Sequence, residues 1–122
     1  MPKEDWPPLD RDYLTSIAEG DEEFIEELAH SFLNSSVNIM AELREAVRVS
    51  DAHRLRHAAH AIKGSSRAIG ANTAGDAFER LEDRGRDADF SDIDRLLDDA
   101  EGRYGVLVGY MKSEWPVQQG VS

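Results

Sequence analysis

The chain is predicted to be all-α: an antiparallel four-helix bundle with a short additional helix at its N-terminal end. Apolar residues recur three and four positions apart in several long segments, and glycine or a capping aspartate or serine separates those segments. No segment alternates apolar and polar residues in the way that a half-buried strand would. Helices joined by short loops favour antiparallel neighbours, so the segments are expected to form one bundle.

The first helix is predicted to be short and the second long. A Pro-Pro pair fits the first turn of a helix from about residue 9 to 18, which Gly20 ends. Asp21 then has the position of an N-cap for a helix that reaches about residue 49. Helical spacing along this second helix is kept by Ile25, Leu28, Phe32, Ile39, Leu43 and Val47.

Two helices of intermediate length follow. Asp51 is predicted to begin the third helix and Gly70 to end it. The fourth helix is predicted from about residue 71 to 84, with Gly85 at its end. Its apolar face consists of Ala74, Ala77, Phe78 and Leu81.

The last helix is predicted to begin at a capping box, because Asp94 follows Ser91 by three positions. With it the bundle domain covers residues 9–112, between an N-terminal tail of residues 1–8 and a C-terminal tail of residues 113–122 that looks frayed. The apolar residues of the last helix are Ile93, Leu96, Leu97, Ala100, Tyr104, Leu107 and Met111.

Three glycines, Gly102, Gly105 and Gly109, share one face of this last helix. Close packing or local fraying is the expected explanation, because glycine weakens a helix. A flat contact patch for a partner or for a second copy of the chain is the alternative. The surrounding charged residues argue against a membrane helix-packing motif.

Composition excludes several classes of function. The formal net charge is −11, which argues against nucleic-acid binding, and no segment has 18 uninterrupted apolar residues. The chain has no cysteine, so disulfides and thiol catalysis are excluded, and a cytoplasmic protein is expected without membrane association. Residues 44–86 nevertheless contain nine lysines and arginines against six acidic residues, which predicts a locally basic site that suits an acidic partner.

The third helix carries a basic stripe beside an apolar seam. Residues three, four and seven apart share a helix face, so a histidine is aligned with three cations: Arg56, His60, Lys63 and Arg67. The seam lies about 100° away, the angle of one helical residue. It comprises Leu55, Ala59, Ile62, Ser66 and Ile69. The histidine therefore flanks the buried face and is expected to reach solvent.

The stripe has the chemistry of phosphoryl transfer, because a neutral imidazole nitrogen can attack phosphorus. Lys63 and Arg67 would attract the phosphoryl group, and Gly64 removes a side chain that would hold a second protein's active site at a distance. Ser65 and Ser66 can donate hydrogen bonds to phosphate oxygens, although Ser66 can also be a small packing residue of the seam.

The segment Ala59 to Glu82, AHAIKGSSRAIGANTAGDAFERLE, resembles the signature of histidine-containing phosphotransfer (HPt) domains. It departs from the family pattern at three packing positions, with Ala74 and Ala77 where leucine is usual and Phe78 where a small residue is common. The matching residues are His60, Lys63, Gly64, Ser65, Ser66, Gly70, Ala71, Leu81 and Glu82.

This resemblance implies a phosphocarrier that is not an enzyme with kinase activity of its own. The matching His60 would accept a phosphoryl group from the aspartyl phosphate of a response-regulator receiver domain and pass it to another receiver. The expected receivers belong to a hybrid histidine kinase and a downstream regulator. They would supply the divalent metal, so the chain is expected to bind no cofactor or metal. The chain is also expected to be a monomer. The residues expected to border the partner are Arg56, His57, Ser65 and Arg67.

Three alternatives remain open from the sequence alone. Phospho-acceptor modules of histidine kinases resemble one another in having an acidic residue directly after the histidine, where this chain has Ala61. A helical adaptor without phosphotransfer is not excluded by composition. His53, His57 and His60 have i, i+4, i+7 spacing that could suit a metal, but neighbouring cations and the absence of cysteine disfavour it. His30 is expected to be structural or solvated.

Overall fold

The computed structural model describes residues 7–116, in which five helices and no strand occur. The helix α3 lies between α2 and α4, while α5 packs on α4 and α2, and α1 packs on α2. This architecture confirms the predicted all-α bundle with a short extra helix. Residues 1–6 and 117–122 of the two predicted tails lie outside the described residues. The helices are α1 (Arg11–Ile17), α2 (Glu22–Arg48), α3 (Ala52–Ala68), α4 (Asn72–Asp87) and α5 (Ile93–Glu114).

Aspartate caps begin the first three helices. Asp21 accepts a hydrogen bond from the Phe24 N–H at 3.2 Å, and Asp51 accepts one from the Arg54 N–H at 3.1 Å. Both predicted caps are therefore confirmed. The first helix also begins at such a cap, Asp10, so the prolines lie just before the helix and not in its first turn.

The core lies between the apolar faces that the spacing predicted. Every residue of the α3 seam is buried, as is the predicted apolar face of α4. On α2 and α5 the predicted residues are buried or packed as partly exposed side chains against the core. Removing these faces from water stabilises the fold more than any other interaction, and it sets which side of α3 remains for function.

The prediction that Gly85 ends α4 was wrong. The helix continues to Asp87, and Ala88 closes it in the left-handed region with φ of 52°. Gly85 is instead buried inside the helix, where an added Cβ would lie 2.6 Å from the backbone nitrogen of Arg56. Glycine is therefore required here because the backbones of α3 and α4 approach too closely for any side chain.

The predicted capping box at the start of α5 was also wrong. The backbone and hydroxyl of Ser91 donate hydrogen bonds to Asp89 at 3.0 and 2.7 Å. Asp92 takes the N-cap position without a side-chain cap, because its carboxylate accepts two hydrogen bonds from Arg84 and one from Arg95. The loop before α5 is thus held by ion pairs to α4.

The bundle extends beyond the predicted boundary at residue 112. Trp115 is only 6% exposed and packs edge-on against Tyr110, with ring centroids 6.2 Å apart. The Arg11 guanidinium carbon lies 4.8 Å from the same indole centroid, and His30 Nε2 lies 2.9 Å from the Trp115 carbonyl oxygen. His30 is therefore structural, and the first residues of the predicted C-terminal tail belong to the folded domain.

The glycine face of α5 is open. Gly102, Gly105 and Gly109 are exposed, and an added Cβ at each would meet nothing within 4 Å. Close packing against the described residues therefore does not explain them. Within the described residues, no helix combines the length and apolar character needed to span a bilayer.

Candidate functional site

His60 stands out on the middle of α3, with 69% of its side chain exposed. The buried seam of α3 faces the core, which leaves the histidine at the edge between α3 and α4. Its Nδ1 lies 2.8 Å from Oε2 of Glu82, a residue of α4. The ring is therefore both accessible from solvent and held in one orientation by the neighbouring helix.

Glu82 is the buried centre of this arrangement, since only 8% of its side chain is exposed. Its second oxygen, Oε1, lies 2.6 Å from Nζ of Lys63. Burial raises the pKa of Glu82, but Lys63 and His60 together outweigh that effect and leave the pKa below its ordinary value. Glu82 is thus a carboxylate near neutral pH, with one oxygen on each partner.

The carboxylate decides which ring nitrogen of His60 can react. Because a carboxylate only accepts hydrogen bonds, the Nδ1 atom of His60 must donate its proton to Glu82. In a neutral ring the lone pair then lies on Nε2. The exposed histidine consequently offers a defined nucleophilic nitrogen.

A cleft of about 300 Å³ opens beside the ring. Two of the residues predicted to border a partner, Arg56 and His57, line it together with His53, His60 and Glu82. Among the described residues, no group of three or more histidine, cysteine or acidic side chains is arranged to hold a metal ion.

The family model of the Hpt domain matches residues 27–103, which is more than half of the chain. The chain belongs to the Hpt domain family. A solved structure, the histidine-containing phosphotransfer protein B (HptB) of Pseudomonas aeruginosa PAO1, is similar at 29% identity with a TM-score of 0.82. The similarity covers 88% of this chain and 94% of HptB. No curated protein matches the chain significantly.

Membership identifies the Hpt chain as a histidine phosphotransfer protein of a phosphorelay, a phosphocarrier that interacts with receiver domains. The expected family and the expected role in phosphotransfer are thereby confirmed.

Lys63 and Arg67 of the Hpt chain, which the sequence predicted to attract the phosphoryl group, each form ion pairs with α4. Lys63 is 21% exposed and paired with the buried Glu82. The Arg67 guanidinium lies 2.9 Å from Asp76 and 2.5 Å from Glu79. Each positive charge is therefore already neutralised by a carboxylate of α4, because the basic stripe of α3 faces an acidic one.

The two predicted serines of this Hpt chain differ in their surroundings, because Ser66 is buried and the Ser65 hydroxyl is bonded to the backbone of its own helix. Ser66 is fully buried, so its predicted hydrogen bond to a phosphate oxygen was wrong, and it is a small packing residue of the seam. Its hydroxyl has no hydrogen-bond partner among the described residues. The Ser65 hydroxyl donates to the Ala61 carbonyl at 3.0 Å. Gly64 is exposed with open space above it, as a close approach by a partner requires.

The sequence pattern assigned Glu82 no role of its own. It matched the HPt signature as the last residue of the resembling segment, 22 positions after His60. The contact between them depends on how α3 and α4 are aligned, and helical periodicity within each segment does not define that alignment. The sequence did contain one indication of this role, a glutamate on an otherwise apolar helix face. A carboxylate in such a position becomes buried and requires a hydrogen-bonded or charged partner.

Proposed function

We propose that His60 accepts a phosphoryl group from the aspartyl phosphate of one receiver domain and passes it to the aspartate of another. The observation that best supports this proposal is the contact between the exposed His60 ring and the carboxylate of Glu82. A surface histidine without such a partner would leave both its tautomer and its orientation undefined.

In the forward step the Nε2 lone pair attacks phosphorus in line with the bond to the aspartyl oxygen. The Nε2–P bond forms as the P–O bond breaks, and the aspartate leaves as a carboxylate with the bonding electrons. The Nδ1 proton stays between the ring and Glu82, so the positive charge that develops on the ring faces a negative charge at 2.8 Å. The reverse sequence delivers the phosphoryl group to the second receiver.

Lys63 supports this chemistry through Glu82. A buried carboxylate with no cation nearby is costly, and its pKa would rise until it took up a proton. A protonated Glu82 would cease to be a pure acceptor for Nδ1. The 2.6 Å contact with Lys63 supports a role in keeping the glutamate ionised, which makes Lys63 a positioning residue.

Positioning and charge neutralisation supply most of the catalysis of phosphoryl transfer, so little beyond the nucleophile is needed on this side. We expect the receiver to supply the divalent metal and this chain to bind no cofactor. The expected receivers belong to a hybrid histidine kinase and a downstream regulator. We also expect a cytoplasmic monomer without kinase activity, so incubation with labelled ATP and Mg²⁺ should leave the chain unlabelled.

The test is transfer of label from a phosphorylated receiver domain to the chain. The parent chain should take up label, and His60→Gln should take up none. His53→Gln is the matched control, because His53 lines the same cleft two turns before His60, is not among the residues expected to border the partner, and should leave labelling intact. Label retained by His60→Gln would overturn the assignment.

A further inference from the structure

The contact between α3 and α4 pairs basic residues with acidic ones, with one exception. Where α3 carries Lys63 or Arg67, α4 supplies a carboxylate within ion-pair distance. Opposite Arg56 it supplies Gly85, whose missing Cβ would lie 2.6 Å from the Arg56 nitrogen. The close approach that requires glycine therefore also removes any side chain that could neutralise Arg56 at this level.

Arg56 consequently has no partner for its charge in the part of the chain that the structure describes. Its side chain is exposed, and no described residue forms an ion pair or hydrogen bond with its guanidinium, whereas the neighbouring Arg54 lies 3.5 Å from Glu42 of α2. Arg56 also lines the cleft that contains His60. Residues four apart on a helix are surface neighbours, so a flexible arginine one turn before the histidine can reach a group attached to the ring.

We infer that Arg56 binds the oxygens of the phosphoryl group as it moves onto and off His60. This inference rests on the proposed function and adds a second residue to it. A planar guanidinium donates two parallel hydrogen bonds to phosphate oxygens, and an unpaired one loses no existing ion pair when it does so. Lys63 would have to leave Glu82 to do the same, and the buried carboxylate would then lose its counter-ion.

Phosphoramidate tests this inference without any receiver. Nε2 of His60 attacks its phosphorus, the Nε2–P bond forms, and the P–N bond breaks so that ammonia leaves with its electron pair and takes up a proton. The measured quantity is the initial rate of phosphohistidine formation in the parent chain and in variants. A receiver-independent donor separates contact with the phosphoryl group from contact with a protein partner.

Arg56→Ala should lower this rate about threefold to tenfold, the size of one exposed charge-assisted contact, and Arg56→Lys should recover most of it. The loss should shrink at high salt, because the contact is electrostatic. Arg54→Ala is the matched control and should keep the parent rate. Both variants should keep the parent melting temperature, since neither guanidinium lies in the core.

An Arg56→Ala rate equal to the parent rate would overturn the inference, as would an equal loss in Arg54→Ala. A loss that Arg56→Lys does not recover and salt does not reduce would also overturn it, because it would indicate a structural effect. Failure of the proposed function would be seen in the transfer assay with a phosphorylated receiver. There the parent chain would take up no label on His60, or His60→Gln would take up as much label as the parent chain.

Discussion

Lys63 Nζ lies 2.6 Å from Oε1 of Glu82, so this lysine is the counter-ion of a buried carboxylate. Lysine near a phosphorylated histidine is easily interpreted as a phosphate-binding cation, and the sequence suggested that interpretation. The contact with Glu82 supports the indirect role that we propose for Lys63. Its loss should affect the stability of the bundle as well as the rate of phosphoryl transfer.

Lys63→Met should therefore lower the free energy of unfolding by about 1–3 kcal/mol, because it leaves Glu82 buried without its ammonium partner. The double variant Lys63→Met, Glu82→Gln should recover most of that loss, since no buried charge remains. Urea denaturation measures both. Arg48→Met, which removes a largely exposed pair with Glu45, is the control and should leave the free energy of unfolding close to that of the parent chain. A double variant no more stable than Lys63→Met would contradict this role.

Gly85→Ala should be strongly destabilising. The new methyl group would lie 2.6 Å from the Arg56 nitrogen, so α3 and α4 would have to separate, at a cost of about 1–3 kcal/mol. Gly105→Ala is the matched control, because it adds the same methyl group to a helix where nothing lies within 4 Å. It should raise the free energy of unfolding by about 0.5–1 kcal/mol. Equal effects of the two substitutions would refute the close-approach explanation.

Substitutions at Gly64 should affect receiver binding without destabilising the fold. Gly64→Ala adds a methyl group in open space within a helix, so stability should rise by about 0.5–1 kcal/mol. Gly64→Leu should fold but bind a receiver domain more weakly, because its side chain occupies the space that the partner needs. Titration of a cognate receiver, followed by calorimetry, measures this affinity. An unchanged Kd for Gly64→Leu would show that the partner does not approach there.

The loop before α5 should lose stability in acid. Arg84 lowers the pKa of Asp92 from 3.8 to about 2, so the folded state holds the proton more weakly than the unfolded state. This contribution is present above about pH 4 and is lost as the pH falls toward 2. Asp92→Asn should be less stable than the parent chain at pH 7, and the difference in urea midpoint should narrow between pH 4 and pH 2. A difference that is constant with pH would contradict the ion-pair assignment.

Trp115 should contribute to the stability of the whole bundle. Trp115→Ala removes a buried indole together with its contacts to Tyr110 and Arg11, which should cost about 3 kcal/mol. Glu114→Ala removes only a half-exposed ion pair to Arg11 and should cost less than about 1 kcal/mol. Thermal unfolding followed by circular dichroism compares the two. A small effect of Trp115→Ala would place this residue outside the cooperative unit.

Helical periodicity was sufficient to predict the bundle, because burying one face of each helix contributes most to folding and imposes its own spacing. Asp21 and Asp51 were predictable as caps because capping is a local interaction between neighbours in sequence. The exposure of His60 was predictable from helix geometry as well, because the basic stripe that contains it lies about 100° around α3 from the buried seam.

The partners of the site residues could not be predicted in the same way. Glu82 reaches His60 and Lys63 only in one alignment of α3 against α4, and Gly85 permits the close approach of the two helices in that alignment. A glycine near the end of an apolar pattern is equally typical of a helix terminus and of a close helix contact. Trp115 was missed because its burial depends on Arg11 and Tyr110, side chains whose positions are set by the tertiary fold.

Glu82 holds His60 by Nδ1, and the transfer that we propose uses the other ring nitrogen, Nε2. A phosphoryl group on Nε2 would therefore leave the contacts of Glu82 with His60 and Lys63 intact. The phosphorylated and unphosphorylated proteins would then have nearly the same shape. If the phosphorylated and unphosphorylated proteins have the same shape, a receiver domain can distinguish them mainly by their charge. Directionality would then depend on the receivers, through their concentrations and the stability of their own aspartyl phosphates.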